Sequence, residues 1–261
     1  MATTSYTYGG TALTTYGKVL KIDDDFDMPD RRDGNILIPF KDGEVYTQKY
    51  YSGRTIIFGI FMSSATATAM ETLIDTLKTK LAPRTQQVLA QTREDGTIRN
   101  INATVDVSIQ PERETSKQTR AVLTFRCTSP FWRLSTVITD NTTTIDASPK
   151  AMVVTNPGSA PESDPVITLT GPLANTVITN STNGAILTYT GTIASPRVVT
   201  IQTVNGEYTA TDDLAADKIG NVSHSGGASL LPLDVGTNTL SITDGTATTG
   251  TVKVSFYAPF T

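Results

Sequence analysis

The residues best suited to chemistry in this sequence are a few clustered carboxylates and the single histidine, His224. A glycoside hydrolase needs a pair of positioned carboxylates, and Asp212, Asp213 and Asp217 could supply one. Nothing in their surroundings singles them out, so a solvated loop is the preferred interpretation. His224 could serve as a catalytic base, but it lies in a predicted loop with no acidic residue nearby in sequence to orient it, which favours a surface histidine.

A second group of carboxylates, Asp23–Asp27, is followed by Arg31 and Arg32. Clustered carboxylates can bind calcium, but this spacing differs from that of an EF-hand loop and no glutamate closes the segment. The preferred interpretations are a solvated loop or an arm that pairs with the arginines of a neighbouring subunit.

Recognisable enzyme motifs are missing from the sequence. It contains no Gly-x-Ser-x-Gly elbow, no Walker loop, no His-Glu-x-x-His motif and no glycine-rich dinucleotide fingerprint. A single cysteine excludes an intrachain disulfide and a thiolate metal cluster. We therefore expect neither catalysis nor a cofactor nor a bound metal.

The net charge of −4 argues against a protein that coats nucleic acid, because such a protein would need a basic face. No apolar run approaches the roughly 20 residues that a membrane helix needs. The first residues, Met1–Ser5, lack the basic and apolar pattern of a signal peptide. We expect a protein that folds in a cytoplasm and does not insert into a membrane.

Charge is distributed unevenly along the chain. Seventeen of the 21 basic and fifteen of the 25 acidic residues precede residue 134, so the first part carries about +2. The remaining four basic and ten acidic residues give the second part about −6, in a sequence rich in Thr, Asn, Gly and Ser. This shift predicts two domains, 1–133 and 151–261, joined by a linker at 134–150.

The first domain is predicted to be an antiparallel β-sheet or sandwich with one helix. The helix is indicated by a capping box at Thr68–Glu71, an apolar stripe from Met70 to Leu81, and Pro83 beyond it. The nearly continuous apolar strand 55–61 is expected to be covered on both faces. The remaining predicted strands lie in 3–22, 36–40, 45–51, 87–91, 98–109 and 119–127.

The second domain is predicted to be a β-sandwich, because short strands alternate with turn residues and no helical period occurs. Turn signals include Asn183-Gly184 and Asp244-Gly245. Eight strands are predicted, at 151–155, 166–170, 176–179, 185–190, 198–203, 230–233, 239–243 and 251–257.

The two aromatic residues Phe131 and Trp132 follow the end of strand 119–127, which Ser129-Pro130 terminates. Large aromatics just beyond a strand suit a plug at the junction of two domains. The alternative is that Trp132, the only tryptophan, belongs to the core of the first domain.

The ordered pattern of segments resembles the distal tail protein family of long-tailed (siphovirus-type) bacteriophages. The resemblance rests on these segments: Arg32-Asp33-Gly34, Tyr51–Ile60, Leu81-Ala82-Pro83, Phe125–Trp132, Val154–Gly158, Pro165–Gly171, Asn180–Leu187, Val235–Leu240 and Gly250–Tyr257. The chain departs from the family in having few aromatics in the second domain and Pro259-Phe260 where the family closes with tryptophans.

The resemblance implies a mainly β protein, with a tail-tube-like antiparallel β-sandwich carrying one helix, followed by a galectin-like β-sandwich. It implies a homo-hexameric ring, the baseplate hub, that joins the tail tube to the tail tip and lets DNA pass without specific binding. The implied partners are the tail tube protein, a tail-tip protein or fibre, and the tape measure protein. The implied location is the virion, after assembly in the host cytoplasm.

Contacts between subunits are expected where loops carry charges of both signs. These loops are 23–32 and 111–120, and the expected interface residues are Asp25, Asp27, Arg31, Arg32 and Arg113. The expected lumen is acidic or mixed in charge, because phosphate contacts supply most non-specific DNA affinity.

Three other functions remain open. A carbohydrate-binding module that contacts the host surface would stack sugar on Tyr189, Tyr208 or Tyr257, although Tyr189 falls in a predicted strand and is expected in the core. A tail-tube or other tip protein of the same particle is a further alternative. A glycan hydrolase that uses the aspartates at 212, 213 and 217 ranks last.

Overall fold

The structure is a computed structural model that describes residues 4–23, 27–32, 36–37, 42, 44–45, 50–107, 109–204, 206–225, 227, 229–246 and 249–261. The described part is mainly β, with antiparallel sheets, which confirms the predicted fold class. The chain divides into two compact units, one of residues 1–133 with Thr261 and one of residues 134–260.

The first unit is built on a twisted antiparallel sheet with the order β2-β1-β7-β8-β10-β6-β3. The β9 strand pairs with one end of β10, and β4 pairs separately with β5. The strands are β1 (Ser5–Tyr8), β2 (Thr11–Ala12), β3 (Lys18–Asp23), β4 (Ile36–Leu37), β5 (Glu44–Val45), β6 (Arg54–Ser63), β7 (Gln87–Thr92), β8 (Ile98–Val105), β9 (Glu112–Thr115), β10 (Gln118–Cys127) and β11 (Trp132–Leu134). A short 3₁₀ helix covers Leu13–Thr15.

The central ladder of this sheet joins β6 to β10 through ten consecutive residue pairs. Strand alternation places Ile56, Phe58, Leu123 and Phe125 on one face, where all are fully buried. The rings of Phe58 and Phe125 meet edge to face, with their centroids 5.6 Å apart. This face is the core of the first unit.

The prediction that strand 55–61 is covered on both faces is wrong. Ile57 and Phe61 point away from the core and are half-buried, and the neighbouring Val122 is 58% exposed. The reason is that β6 lies in an antiparallel sheet, which packs one face on the core and leaves the other toward solvent.

The single helix of the described residues, α1 (Ala67–Leu81), packs Met70, Ile74, Leu77 and Leu81 into the core, as its apolar period predicted. It begins two residues earlier than the capping box at Thr68 indicated. Thr66 has an extended backbone, and its side-chain oxygen accepts the N–H of Ala69 at 3.1 Å. Thr68 already lies in the first turn, where its carbonyl accepts the Thr72 hydroxyl.

The second unit contains two five-stranded antiparallel sheets, with the orders β12-β21-β14-β17-β18 and β13-β20-β15-β16-β19. Its strands are β12 (Ile138–Thr144), β13 (Lys150–Asn156), β14 (Val166–Thr170), β15 (Leu173–Asn180), β16 (Ile186–Ile193), β17 (Val198–Val204), β18 (Glu207–Asp212), β19 (Val222–His224), β20 (Gly236–Thr243), β21 (Thr251–Phe256) and β22 (Pro259–Phe260). A 3₁₀ helix covers Ile219–Asn221. Buried residues from both sheets form one apolar core, as expected of a β-sandwich.

Two sequence predictions for this unit need correction. The proposed linker, 134–150, contains β12, which pairs with β21. The proposed strand 230–233 is not a strand, because Pro232 lacks an N–H and only Leu233 makes a bridge, to Glu162. Leu230, Leu231 and Leu233 instead fill the core.

Three fully buried asparagines fix the segment around Pro232 in place of a strand ladder. The Asn180 side-chain amide donates to the Pro232 carbonyl at 2.9 Å and to Asn238 Oδ1 at 3.1 Å. The Asn238 amide donates to the carbonyls of Asp234 and Gly236. The Asn156 amide donates to the Ala160 carbonyl at 2.9 Å. Buried amides that satisfy loop carbonyls let an irregular segment enter the core without losing its hydrogen bonds.

A buried carboxylate, Asp244, holds the turn after β20. Burial raises its pKa, but hydrogen bonds from Thr246, Thr176 and the Ala174 N–H outweigh that effect, so the pKa lies below its usual value. The charged form of Asp244 is therefore the one that the fold stabilises.

Replacing Asn180 by alanine should lower the free energy of unfolding of the second unit by about 2–4 kcal/mol, because it removes two buried hydrogen bonds and leaves a cavity at a fully buried position. Urea unfolding followed by far-UV circular dichroism would measure this, with the fluorescence of Trp132 reporting the first unit as an internal reference. The matched control is Asn183→Ala, since Asn183 also donates to the Pro232 carbonyl at 2.9 Å but is exposed. Equal losses for the two variants would contradict the role given to the buried amide.

Asp244 should make the stability of the second unit depend on pH in the acid range. Its folded pKa lies below the unfolded value of about 3.9, so its contribution is full above about pH 4 and is lost as the pH falls through the folded pKa. Urea unfolding of the wild type and of Asp244→Asn between neutral and acid pH should show a difference that shrinks below about pH 4. The exposed Asp75→Asn variant serves as the control, and a difference that stayed constant with pH would rule out this assignment.

Candidate subunit-contact surfaces

The chain between β3 and β6 leaves the sheet and returns to it through two adjoining segments, 27–32 and 50–54, which we call the loop base. The backbone N–H of Arg32 donates to the Tyr50 carbonyl at 2.7 Å, and that of Ser52 donates to the Asp30 carbonyl at 2.8 Å. Arg31 and Tyr51 form a β-bridge between them. These backbone contacts hold the two segments of the loop base side by side.

Aromatic and cationic side chains stack at the loop base. The guanidinium carbon of Arg31 lies 5.5 Å from the centroid of the Tyr51 ring, which is within the range of a cation–π contact. The Tyr51 ring in turn meets Phe131 edge to face, with the centroids 5.3 Å apart. The structure thus brings together Arg31 and Phe131, which the sequence analysis assigned to different roles.

A buried arginine at the start of β6 anchors the loop base. The side chain of Arg54 is 2% exposed, and its Nη2 donates to the Asp27 carbonyl. The adjoining Gly53 approaches the backbone so closely that a Cβ there would lie 2.5 Å from the Cys127 carbonyl oxygen, which excludes any larger residue without movement. Sequence reasoning missed this anchor, although Gly53-Arg54 lies within the quoted Tyr51–Ile60 segment.

Three of the predicted interface residues belong to the loop base. Asp27, Arg31 and Arg32 are exposed, and Arg32 Nη2 reaches the Tyr51 carbonyl at 3.5 Å. Asp25 lies outside the described residues. The loop base gathers the described members of the set at one end of the β6–β10 ladder, and their role between subunits stays a prediction.

The β9–β10 hairpin forms a second charged surface at the other end of the ladder. Arg113 pairs with Glu71 of α1 at 3.0 Å, and Arg120 pairs with Glu114 at 2.6 Å. All residues of β9 are exposed. Arg113, which the sequence analysis placed at a subunit interface, thus has a partner within its own chain, and the two surfaces are separate.

The two residues predicted at the domain junction differ in exposure. Trp132 is 1% exposed, and its indole N–H has no hydrogen-bond acceptor among the described residues. Phe131 is half-buried against Tyr51. A plug between the two domains remains a prediction.

The three aspartates considered for hydrolysis instead organise the loop after β18. The N–H groups of Ala216 and Leu214 hold the pKa of Asp212 below its usual value despite some desolvation, and Lys218 adds to the effect. Asp213 pairs with Arg197 at 3.2 Å, and Asp217 accepts the N–H of Ile219. A general acid needs a raised pKa, so Asp212 is unsuited to that role.

His224 was predicted to lie in a loop, but it forms the end of β19 opposite Leu187. Its ring packs edge to face on Tyr208, with the centroids 4.9 Å apart. Of the tyrosines considered for sugar stacking, Tyr189 is 4% exposed, as expected for a core residue, and Tyr208 is half-buried. Tyr257 is 46% exposed.

The described ranges contain neither a metal-binding cluster nor a membrane-crossing helix. There, no three His, Cys, Asp or Glu side chains come together in a way that could hold a metal ion. Within the same ranges, no helix has both the length and the apolar character for crossing a bilayer.

The exposed ion pair between Arg113 and Glu71 should contribute little to the folding of the isolated chain. Arg113→Gln and Glu71→Gln should each lower the free energy of unfolding by less than about 1 kcal/mol, because exposed pairs are weak and screened. The double variant should lower the free energy of unfolding by no more than the more destabilising single variant does. Thermal unfolding at low and high salt would check both points. A loss well above this range in monomeric protein would mean that the hairpin depends on the pair for its position.

Comparison with known proteins gives a match at the level of structure. No protein-family profile matches the chain, and no curated protein matches it significantly. The chain superposes on the Dit protein (gp 19.1) of phage SPP1 with a TM-score of 0.73 and 15% sequence identity, over 98% of this chain and 99% of that one. That protein is described as a paradigm of the hub adsorption apparatus in phages that infect Gram-positive bacteria.

Chains of the phage p2 baseplate in its activated conformation, with strontium or with calcium, match over 100% of both chains at 8% and 9% identity. Their TM-scores of 0.45 and 0.46 are too low to indicate a shared fold. The resemblance suggested by the sequence is thus confirmed as a likeness of fold, and over nearly its whole length this chain has the fold of the SPP1 Dit hub protein.

Proposed function

We propose that this chain is a distal tail protein, the baseplate hub, of a long-tailed phage. The observation that carries the proposal is the end-to-end match to SPP1 Dit, which covers 98% of this chain and therefore residues of both units. A fold by itself hosts many functions. Here the match extends through two successive units in the same order, and this order agrees with the ordered segments in the sequence.

In this proposal the first unit forms a homo-hexameric ring by head-to-tail contact between subunits. Head-to-tail contact needs two different surfaces on each subunit. The loop base and the β9–β10 hairpin supply them, because they lie at opposite ends of one ladder and carry exposed charges of both signs. Asp25, Asp27, Arg31, Arg32 and Arg113 are the residues proposed for these contacts.

The ring would join the tail tube protein to the proteins or fibres of the tail tip, with the tape measure protein and then the DNA passing through its centre. The charges of the first unit nearly cancel, at about +2, and such mixed charge suits a channel that DNA crosses without sticking, because an excess of basic residues is what retains phosphate. The proposed location is the virion, with assembly in the host cytoplasm.

The proposed role is structural and needs no catalysis. The candidate carboxylates support this, since Asp212, Asp213 and Asp217 are engaged in hydrogen bonds and an ion pair that shape their own loop. The alternative, a module that binds carbohydrate at the host surface, rests on the exposed ring of Tyr257.

The purified protein should form six-fold rings with an open centre, seen by negative-stain imaging and as a hexamer by native mass spectrometry. Replacing Arg31 and Arg32 together by alanine should shift the mass toward the monomer, and higher salt should do the same to the wild type, because charged contacts are screened. Adding tail tube protein should recruit it to the rings.

The control is Arg84→Ala, which removes an exposed arginine of the same unit outside both proposed surfaces. It should leave the rings intact. A monomer that remains a monomer with tube protein present, and that binds glycans on an array, would favour the carbohydrate-binding alternative. Long filaments in place of rings would instead indicate a tube protein.

A further inference from the structure

Among its described residues, the second unit has four outer strands, because each of its two sheets has two edges. These are β12 and β18 in one sheet and β13 and β19 in the other. An outer strand presents unpaired N–H and carbonyl groups, which can pair with a strand of another chain. Soluble proteins usually block such edges with charges, irregular pairing, proline or very short strands.

Three of these edges carry blocking features. The pairing of β12 shifts register between Ile138 and Asn141. The β18 strand carries a carboxylate at each end, Glu207 and Asp212. In addition, Asp217 forms an antiparallel β-bridge with Thr211 of this strand. The β19 strand has only three residues.

The β13 edge differs from these three. It forms seven consecutive pairs with β20, from Lys150↔Ile242 to Asn156↔Gly236, without a register shift. It contains no proline, and its one charged residue, Lys150, lies at its first position and pairs with Asp146 at 2.6 Å. On its other side, no strand pairs with it anywhere in the described part of the chain.

The side chains of β13 that face outward also lack charge. Ala151, Val153 and Thr155 are exposed, and Val153 is 60% exposed. Their neighbours on β20 are Ser241, Thr239 and Thr237, which are uncharged as well. Loss of charged residues is the compositional mark of the core of a protein interface.

We propose that β13 binds an extended segment of a partner protein, which adds a strand to this sheet. The partner segment would alternate small or β-branched residues, so that one set meets Val153 and its neighbours, and would carry basic residues at its ends. Basic ends are proposed because the part of the chain after residue 133 carries a net charge of about −6, which attracts a positively charged segment. A second copy of this chain is the poorer occupant because it brings the same negative charge. The inference goes beyond the proposed ring and does not depend on it.

The experiment uses the full-length protein and a short synthetic peptide of alternating valine and threonine with lysines at both ends. In the free protein, alternate backbone amides of 151–155 should exchange with solvent rapidly, because no strand pairs with the outer side of β13 in the described part of the chain. Saturating peptide should protect those amides and leave exchange in β12, β18 and β19 unchanged. A peptide of the same core with glutamates at its ends should bind at least about tenfold more weakly.

The informative variant is Val153→Lys, which places a charge beside the incoming strand at an exposed position where the fold should tolerate it. It should weaken binding of the lysine-ended peptide by about tenfold or more. The matched control is Thr239→Lys, which adds the same charge on the same face, opposite Val153 but one strand further from the edge. It should weaken binding by less than about threefold.

Several outcomes would overturn the proposal. One is protection of all amides from 151 to 155 in the free, monomeric protein, since the edge would then be covered already. Another is peptide-induced protection at a different strand, or none at all. Equal binding of the two peptides would contradict the proposed preference for a partner with basic ends. Self-association that depends on protein concentration and is abolished by Val153→Lys would assign the edge to a second copy of this chain. Because the exchange measurement is made on β13 itself, it separates this proposal from the presence or absence of a ring.

Discussion

The ladder between β6 and β10 is the constraint on which the first unit depends. Its inner face supplies the core through Phe58 and Phe125, and its two ends determine the positions of both charged surfaces. The pair Arg54↔Cys127 lies beside the loop base, and the pair Ser63↔Gln118 lies beside the β9–β10 hairpin. At about 3.3 Å per residue, the ladder sets these surfaces roughly 30 Å apart. That separation is compatible with the head-to-tail contacts of the proposed ring.

The second unit differs in that irregular segments are buried within its β-sandwich. Buried Asn180 and Asn238 satisfy the carbonyls around Pro232, and Asp244 satisfies the donors of a turn. Burying a polar group without a hydrogen-bond partner costs considerable free energy, and a hydrogen bond offsets most of that cost. These contacts allow the core leucines on either side of Pro232 to pack without a continuous strand.

The features that the sequence predicts well are the local ones. The apolar stripe of α1 and the alternation of β10 depend on periodicity alone, and both are found in the structure. Features that depend on distant residues were missed. The stack of Arg31, Tyr51 and Phe131 joins segments that are far apart in sequence. The run Leu230–Leu233 resembles a strand in composition, but it is held by amides whose partners no local pattern reveals. The bare edge of β13 becomes visible only once the strand order is known.

The same ladder has a consequence for the order of folding. It joins residues that lie at least about 55 positions apart in the chain, with α1 and the β7–β8 pair between them. Such non-local pairing is slow to form, because closing the intervening loop costs conformational entropy before the stabilising contacts are made. The loop base and the hairpin are both fixed by this one event, so a newly made chain would acquire its two charged ends together. In the ring proposed above, a half-folded subunit would present neither end in its final position, which would keep immature chains out of the assembly.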